Sequence, residues 1–81
     1  MKPSEIKRLA ETYSAEQLQA AELCILEETA LPENLVIEGE DDGERLTHIS
    51  AALFVLGEVA KGALIKDAIR AFSARVRESI S

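Results

Sequence analysis

The chain has few aromatic residues, a single cysteine and no long hydrophobic run. Aromatic side chains make up only 4% of it, so a core would have to be built from the Leu, Ile, Val and Ala that helix bundles use. Cys24 cannot form a disulfide within the chain, which favours a reducing setting. It lies in an apolar helical stretch, which favours a buried structural thiol. The longest apolar run, 51–56, is too short to cross a bilayer, and the N-terminus does not resemble a signal peptide. We therefore expect a soluble, cytoplasmic protein that does not bind membranes.

Basic residues are absent from a long central segment. Residues 9–44 carry eleven acids and no base, whereas the remainder carries nine bases and four acids, for a net charge of −6. Nucleic acids and anionic membranes attract strongly basic surfaces, so both are disfavoured as partners. The segregation of charge is compatible with complementary contact between the two halves, within one chain or between two copies.

Motifs of catalysis are missing as well. The sequence has no G-x-S-x-G element and no phosphate-binding loop, and Cys24 and His48 could meet only through the tertiary fold. A chain of 81 residues makes one domain at most, spanning 1–81, and leaves little room for a pocket. We therefore expect no enzyme activity and no cofactor.

Helical periodicity is the pattern that the sequence does contain. Apolar residues recur at steps of three and four, Ser14 and Gln17 match a capping box, and Pro32 stops the second helix. The predicted helices run from about Pro3 to Tyr13, from Ser14 to Thr29, from Asp42 to Lys61 and from Ile65 to Ser79. Short links predict that the last two form an antiparallel hairpin, with the first two packed across it. The predicted fold class is all-α, a dimeric, four-helix bundle-like domain of two helical hairpins.

A loop from Glu33 to Gly43 separates the second and third predicted helices. Its apolar residues 35–37 could form a short extended piece over the bundle. A lone strand would have no partner within the chain, although it could pair with its own copy across a two-fold axis.

The third predicted helix is apolar on nearly all sides, because only Ser50 and Glu58 are distinctly polar within 49–60. A helix of this kind is buried on nearly all sides, and a short chain would leave part of it bare. Gly57 costs about 1 kcal/mol in a helix interior and predicts close approach of a neighbouring helix, while Gly62 predicts the helix end. The predicted two-fold interface consists of Ala51, Phe54, Val55 and Val59.

Acidic residues around the start of this helix suggest a metal site. The segment from Glu38 onward imitates an EF-hand loop, but it begins with Glu instead of Asp and has Ile49 where a bidentate Glu is needed. Glu44 and His48 share a helix face and, with Asp41, could hold a transition metal. The alternatives are a solvated acidic loop and a partly exposed His48 paired with Glu44.

Arginines on the fourth predicted helix are a second candidate ligand site. Arg70, Arg75 and Arg77 could bind a carboxylate or a phosphate. The alternative is a solvated basic face whose charge is complementary to the acids of the second helix.

Three segments resemble a known family. They are MKPSEIKRLAE, GERLTHISAALFVLGEVAKG and DAIRAFSARVRESI. The last carries the pattern A-x-x-x-F-x-x-R-V-x-x-S-I at Ala68, Phe72, Arg75, Val76, Ser79 and Ile80. The chain resembles a family of small, uncharacterised bacterial proteins that is known only as a domain of unknown function. The resemblance implies a compact helical protein and implies no activity, cofactor or catalytic residue.

The function predicted from these observations is a small self-associating helical module, structural or protein-binding, that forms a homo-oligomer. The alternative is a metal- or small-ligand-binding protein that uses the acidic loop and His48. A third hypothesis is a helper subunit that docks on a larger protein partner through the third helix.

Overall fold

The computed structural model describes the backbone of residues 2–80 and the side chains of residues 2–75. Within residues 2–80 the chain forms helices α1 (Pro3–Thr12), α2 (Ala15–Leu26), α3 (Asp42–Ala60) and α4 (Ile65–Ile80), and no strand. The predicted all-α fold class is therefore confirmed, and the helix bounds lie within a few residues of those predicted. No helix in this part of the chain is long and apolar enough to cross a membrane.

Side-chain caps set the starts of α2 and α3. The Ser14 hydroxyl accepts a hydrogen bond from the Gln17 N–H at 3.2 Å, and the Gln17 side chain accepts one from the Ser14 N–H at 2.8 Å. This reciprocal pair confirms the predicted capping box. α3 begins after Asp41, whose carboxylate accepts a hydrogen bond from the Glu44 N–H at 2.8 Å.

Two glycines near the end of α3 differ in their surroundings. Gly62 has a φ of +105° and its N–H bonds back to the Val59 carbonyl at 2.9 Å, so it ends the helix as predicted. Gly57 is exposed, and among the described residues no atom beyond its own stretch of helix lies within 4 Å of the place that a β-carbon would take. The expectation that a neighbouring helix approaches closely at Gly57 is therefore wrong.

α3 is the central helix of the fold. It packs against α1, α2 and α4, and α1 also packs against α4. The helices α1 and α2 of the first predicted hairpin therefore lie mainly on α3 and not on each other. One core cluster joins α1, α2, α3 and the loop through the buried side chains Leu9, Leu18, Ala21, Ile25, Leu35, Ile37, Ile49 and Ala52. A second joins α1, α3 and α4 through Ile6, Ala10, Ala51, Val55 and Ala68.

The apolar stripe of α4 is seen along its first half. Ala68 is buried in the second cluster, and Ile65, Ile69 and Phe72 pack against that cluster, as predicted. The side chains of Val76, Arg77, Ser79 and Ile80 lie outside the described residues.

Candidate functional site

The predicted interface on α3 is largely covered by the chain itself. Ala51 and Val55 are 0% exposed and lie in the cluster that α3 shares with α1 and α4. Phe54 and Val59 are half-buried, and the Phe54 ring packs against that of Phe72 with 5.7 Å between centroids. Ala51 and Val55 have no surface to offer a second copy, which corrects the expectation that this side of α3 is bare. The interface stays a prediction for Phe54 and Val59 alone.

His48 is completely buried, which corrects the expectation of a partly exposed histidine beside Glu44. Its Nε2 accepts a hydrogen bond from the backbone N–H of Lys2 at 3.0 Å, and its Nδ1 lies 2.8 Å from the carbonyl oxygen of Glu38. Because a carbonyl oxygen can only accept, we assign the ring proton to Nδ1. The imidazole therefore ties the residue before α1 to the loop, and both of its nitrogens are engaged.

The acids near His48 organise the start of α3. Glu44 Oε1 accepts a hydrogen bond from the Glu40 N–H at 3.0 Å, and this bond lowers the pKa of Glu44. Within residues 2–75, no group of three or more His, Cys, Asp or Glu side chains is placed to hold a metal ion. No contact described for these acids favours the metal alternative or the EF-hand-like loop.

Glu5 is a buried carboxylate that sequence analysis did not single out. It is 3% exposed, accepts hydrogen bonds from the Arg8 guanidinium at 2.6 and 2.7 Å, and accepts one from the Glu38 N–H at 2.8 Å. Burial alone would raise the pKa of Glu5, but the bonds from Arg8 and Glu38 outweigh burial, and the pKa is lowered. The signal in the sequence was a Glu–Arg pair three residues apart, with Glu5 directly beside the apolar stripe of α1.

Residues 34–38, which we call the strap, are held by side chains from α1, from Tyr13 directly after it, and from α3. Arg8 donates to the Val36 carbonyl at 2.7 Å, and the Tyr13 hydroxyl accepts from the Val36 N–H at 3.1 Å. The N–H and the carbonyl of Glu38 are bound by the two buried groups described above. Side chains thus bind the N–H and carbonyl groups of Val36 and Glu38, which lie at alternate positions of the strap.

α2 carries two exposed leucines on the side that its neighbours leave uncovered. Leu18, Ala21 and Ile25 are buried on the side that faces α3. Leu23 and Leu26 are 57% and 63% exposed, and helical spacing places them away from that buried stripe. A surface helix usually carries polar residues on its exposed side. α2 instead carries an apolar patch there.

Acidic side chains flank these leucines. We define the α2 outer face by six exposed residues, Glu16, Gln19, Ala20, Leu23, Leu26 and Glu27. No basic residue lies between Leu9 and Glu44, so no cation of α2 or the strap offsets these carboxylates. An apolar patch with charges of one sign at its rim is suited to a partner that carries the opposite charge.

A cleft of about 500 Å³ adjoins the α2 outer face. It is lined by Tyr13, Glu16, Gln17, Ala20, Pro32, Glu33, Asn34 and Leu35. Tyr13 and Leu35 belong to the edge of the first core cluster, whereas Glu16 and Glu33 are exposed. Because Glu16 and Ala20 belong to both surfaces, the cleft and the outer face are continuous.

The remaining predicted site residues are separate from this surface. Arg70 on α4 lies 4.0 Å from Asp67, and the Arg75 guanidinium carbon lies 5.3 Å from the centroid of the Phe54 ring. Cys24 is a free thiol that is only partly buried, whereas the sequence predicted a buried structural thiol. Neither the arginines nor the thiol belongs to the α2 outer face.

Fold and surface together define an all-α domain with a wrapped central helix and an acidic, leucine-bearing face. The chain belongs to a family of unknown function (DUF6952), whose model matches residues 1–81. The resemblance to a family of uncharacterised proteins is thereby confirmed. No curated protein and no solved structure matches the chain.

Proposed function

We propose that this protein is an interaction module that binds a basic helical surface of a protein partner through the α2 outer face. The observation that carries the proposal is the exposure of Leu23 and Leu26 on a helix whose opposite side is already buried against α3. Burying such side chains against a partner is favourable by about 25 cal/mol per Å² of apolar surface.

Charge supports a basic partner. Long Lys and Arg side chains can lay their aliphatic stems over leucines while their charged ends reach carboxylates. Glu16 and Glu27 lie on the same face as the leucines, and Glu33 lies across the adjoining cleft. The cleft, with Tyr13 in its lining, offers a place for one such cationic side chain.

The proposal assigns binding and no catalytic step. Among residues 2–75 the buried polar side chains are Glu5 and His48, and both are hydrogen-bonded to the backbone of the strap, where they act structurally. Self-association, expected from the sequence, belongs to the same class of function.

A synthetic amphipathic peptide with leucine on one face and lysine on the other tests the proposal by calorimetric titration. The wild-type protein is expected to bind it. The double variant L23S/L26S is expected to bind roughly tenfold more weakly or worse, because the apolar contact is lost. Both leucines are exposed, so the variant keeps its circular dichroism spectrum.

Leu64, which is 61% exposed in the link between α3 and α4, provides the matched control. L64S is expected to bind the peptide as the wild type does. A peptide with glutamate in place of lysine should not bind. Equal binding by L23S/L26S and L64S would show that the α2 outer face is not the docking surface.

A further inference from the structure

We infer that the basic helical surface is α4 of a second copy of this chain, so that the α2 outer face of one copy packs on the exposed side of α4 of the other. The inference rests on the proposed function and names its partner. It is carried by the complementarity of two surfaces that the fold exposes separately.

The exposed side of α4 has the required chemistry. Lys66, Arg70 and Ala74 are all exposed and follow one another at steps of four, so they form one stripe. Ala71, also exposed, lies beside that stripe. The small alanines leave room for leucine side chains, while the two cations can reach carboxylates. Asp67 also lies on this side and is 4.0 Å from Arg70, a long contact between exposed groups that competes weakly.

The two surfaces do not cover each other within one chain. α2 packs mainly on α3, whereas α4 packs on α1 and α3. Leu23 and Leu26 remain more than half exposed, and Lys66 and Arg70 are exposed as well. Contact between the α2 outer face and the exposed side of α4 therefore requires a second molecule.

Charge also decides against the simpler pairing of α2 with α2. In that arrangement Glu16 and Glu27 of each copy would face the same acids of the other copy, and repulsion opposes contact. When α2 pairs with α4 instead, the carboxylates at the edge of the α2 outer face meet Lys66 and Arg70 and are attracted to them. A contact between two different faces closes as a two-fold dimer only where each copy's α2 reaches the other copy's α4, and the inferred assembly is this closed dimer.

Charge reversal with mixing tests the inference by sedimentation velocity of the full chain at low ionic strength and tens of micromolar protein. The wild type is expected to be dimeric. The variants E16K/E27K and K66E/R70E are each expected to sediment as monomers, with dimerisation weakened roughly tenfold or more. An equimolar mixture of the two should recover dimers, because reversed α2 faces meet reversed α4 faces.

Exposed charges on α1 supply the control. K7E makes the net charge more negative, as K66E/R70E does, and E11K makes it less negative, as E16K/E27K does. Both control variants should stay dimeric. The inference is overturned if the wild type is a monomer under these conditions, or if both double variants dimerise as the wild type does. A monomeric wild type that binds the leucine–lysine peptide through Leu23 and Leu26 would remove this inference and leave the proposed function standing.

Discussion

Gly57 lowers the stability of α3 although no neighbouring helix packs closely against it in the described part of the chain. It lies inside α3, is exposed, and has open space where a β-carbon would sit. Glycine in a helix interior costs about 1 kcal/mol relative to alanine, because its backbone loses more freedom on folding. No contact described at this position offsets that cost.

Replacing Gly57 by alanine is therefore expected to raise the free energy of unfolding by about 1 kcal/mol, measured by urea denaturation. The same substitution at Gly62, where φ is +105°, should lower it by about 1 kcal/mol, because a β-carbon is strained in that conformation. A loss of stability in G57A would mean that another group occupies the space beside α3.

Local signals at this scale could be read from the sequence. The capping box of Ser14 and Gln17 and the helix end at Gly62 depend on residues only a few positions apart. The surroundings of Gly57 depend on where α1, α2 and α4 pass, which is a property of the tertiary fold. The prediction that Gly57 lies inside a helix is therefore confirmed, whereas the predicted close approach of a neighbouring helix is wrong.

The stability of the strap depends on the ionisation of Glu5. Glu5 binds it as a carboxylate, through the Glu38 N–H at 2.8 Å, while also holding Arg8. The pKa of Glu5 is lowered in the folded state, so at acid pH the unfolded chain takes up protons before the folded chain does. The stabilisation is present above the unfolded pKa of about 4.3 and is lost as pH falls through the lower folded value.

The variant E5Q tests this dependence. It is expected to be about 2 kcal/mol less stable than the wild type at pH 7, because a charged acceptor of three hydrogen bonds is lost. Its free energy of unfolding should also fall less steeply than that of the wild type from about pH 5 to pH 3. Urea denaturation across this range measures both effects.

Glu11, which is exposed on the same helix, is the control for E5Q. E11Q should follow the wild-type pH dependence closely and lose little stability at pH 7. If E5Q and the wild type lost stability in parallel on acidification, Glu5 would not be the group that couples the strap to pH.

The strap also shows what sequence analysis could recover at the scale of an element. The apolar residues of the segment predicted a piece of chain lying over the bundle, and Leu35 and Ile37 are buried in the first core cluster. The groups that hold its backbone were not predictable. Glu5 and Glu38 are 33 residues apart, and His48 reaches Lys2 across 46 residues. No spacing rule links residues so distant in sequence.

At the scale of the whole molecule, the apolar character of α3 is explained by its central position. The sequence predicted that a short chain could not cover this helix. However, α1 contacts both α3 and α4, and together these helices enclose Ala51 and Val55. Among the described residues, two neighbouring exposed leucines lie instead on α2, where Leu23 and Leu26 seemed to widen the buried stripe. Deciding which side of an evenly apolar helix faces inward required the packing of its neighbours.

Solvent footprinting by hydroxyl radicals, read by mass spectrometry at dilute and at concentrated protein, tests whether the protein associates through the α2 outer face and not through α3. Leu23 and Leu26 are expected to be oxidised in dilute solution and protected as copies associate, while Val55 stays unreactive throughout. The opposite pattern, with Val55 reactive in dilute solution and protected on concentration while Leu23 and Leu26 do not change, would show that α3 and not the α2 outer face is the surface that associates.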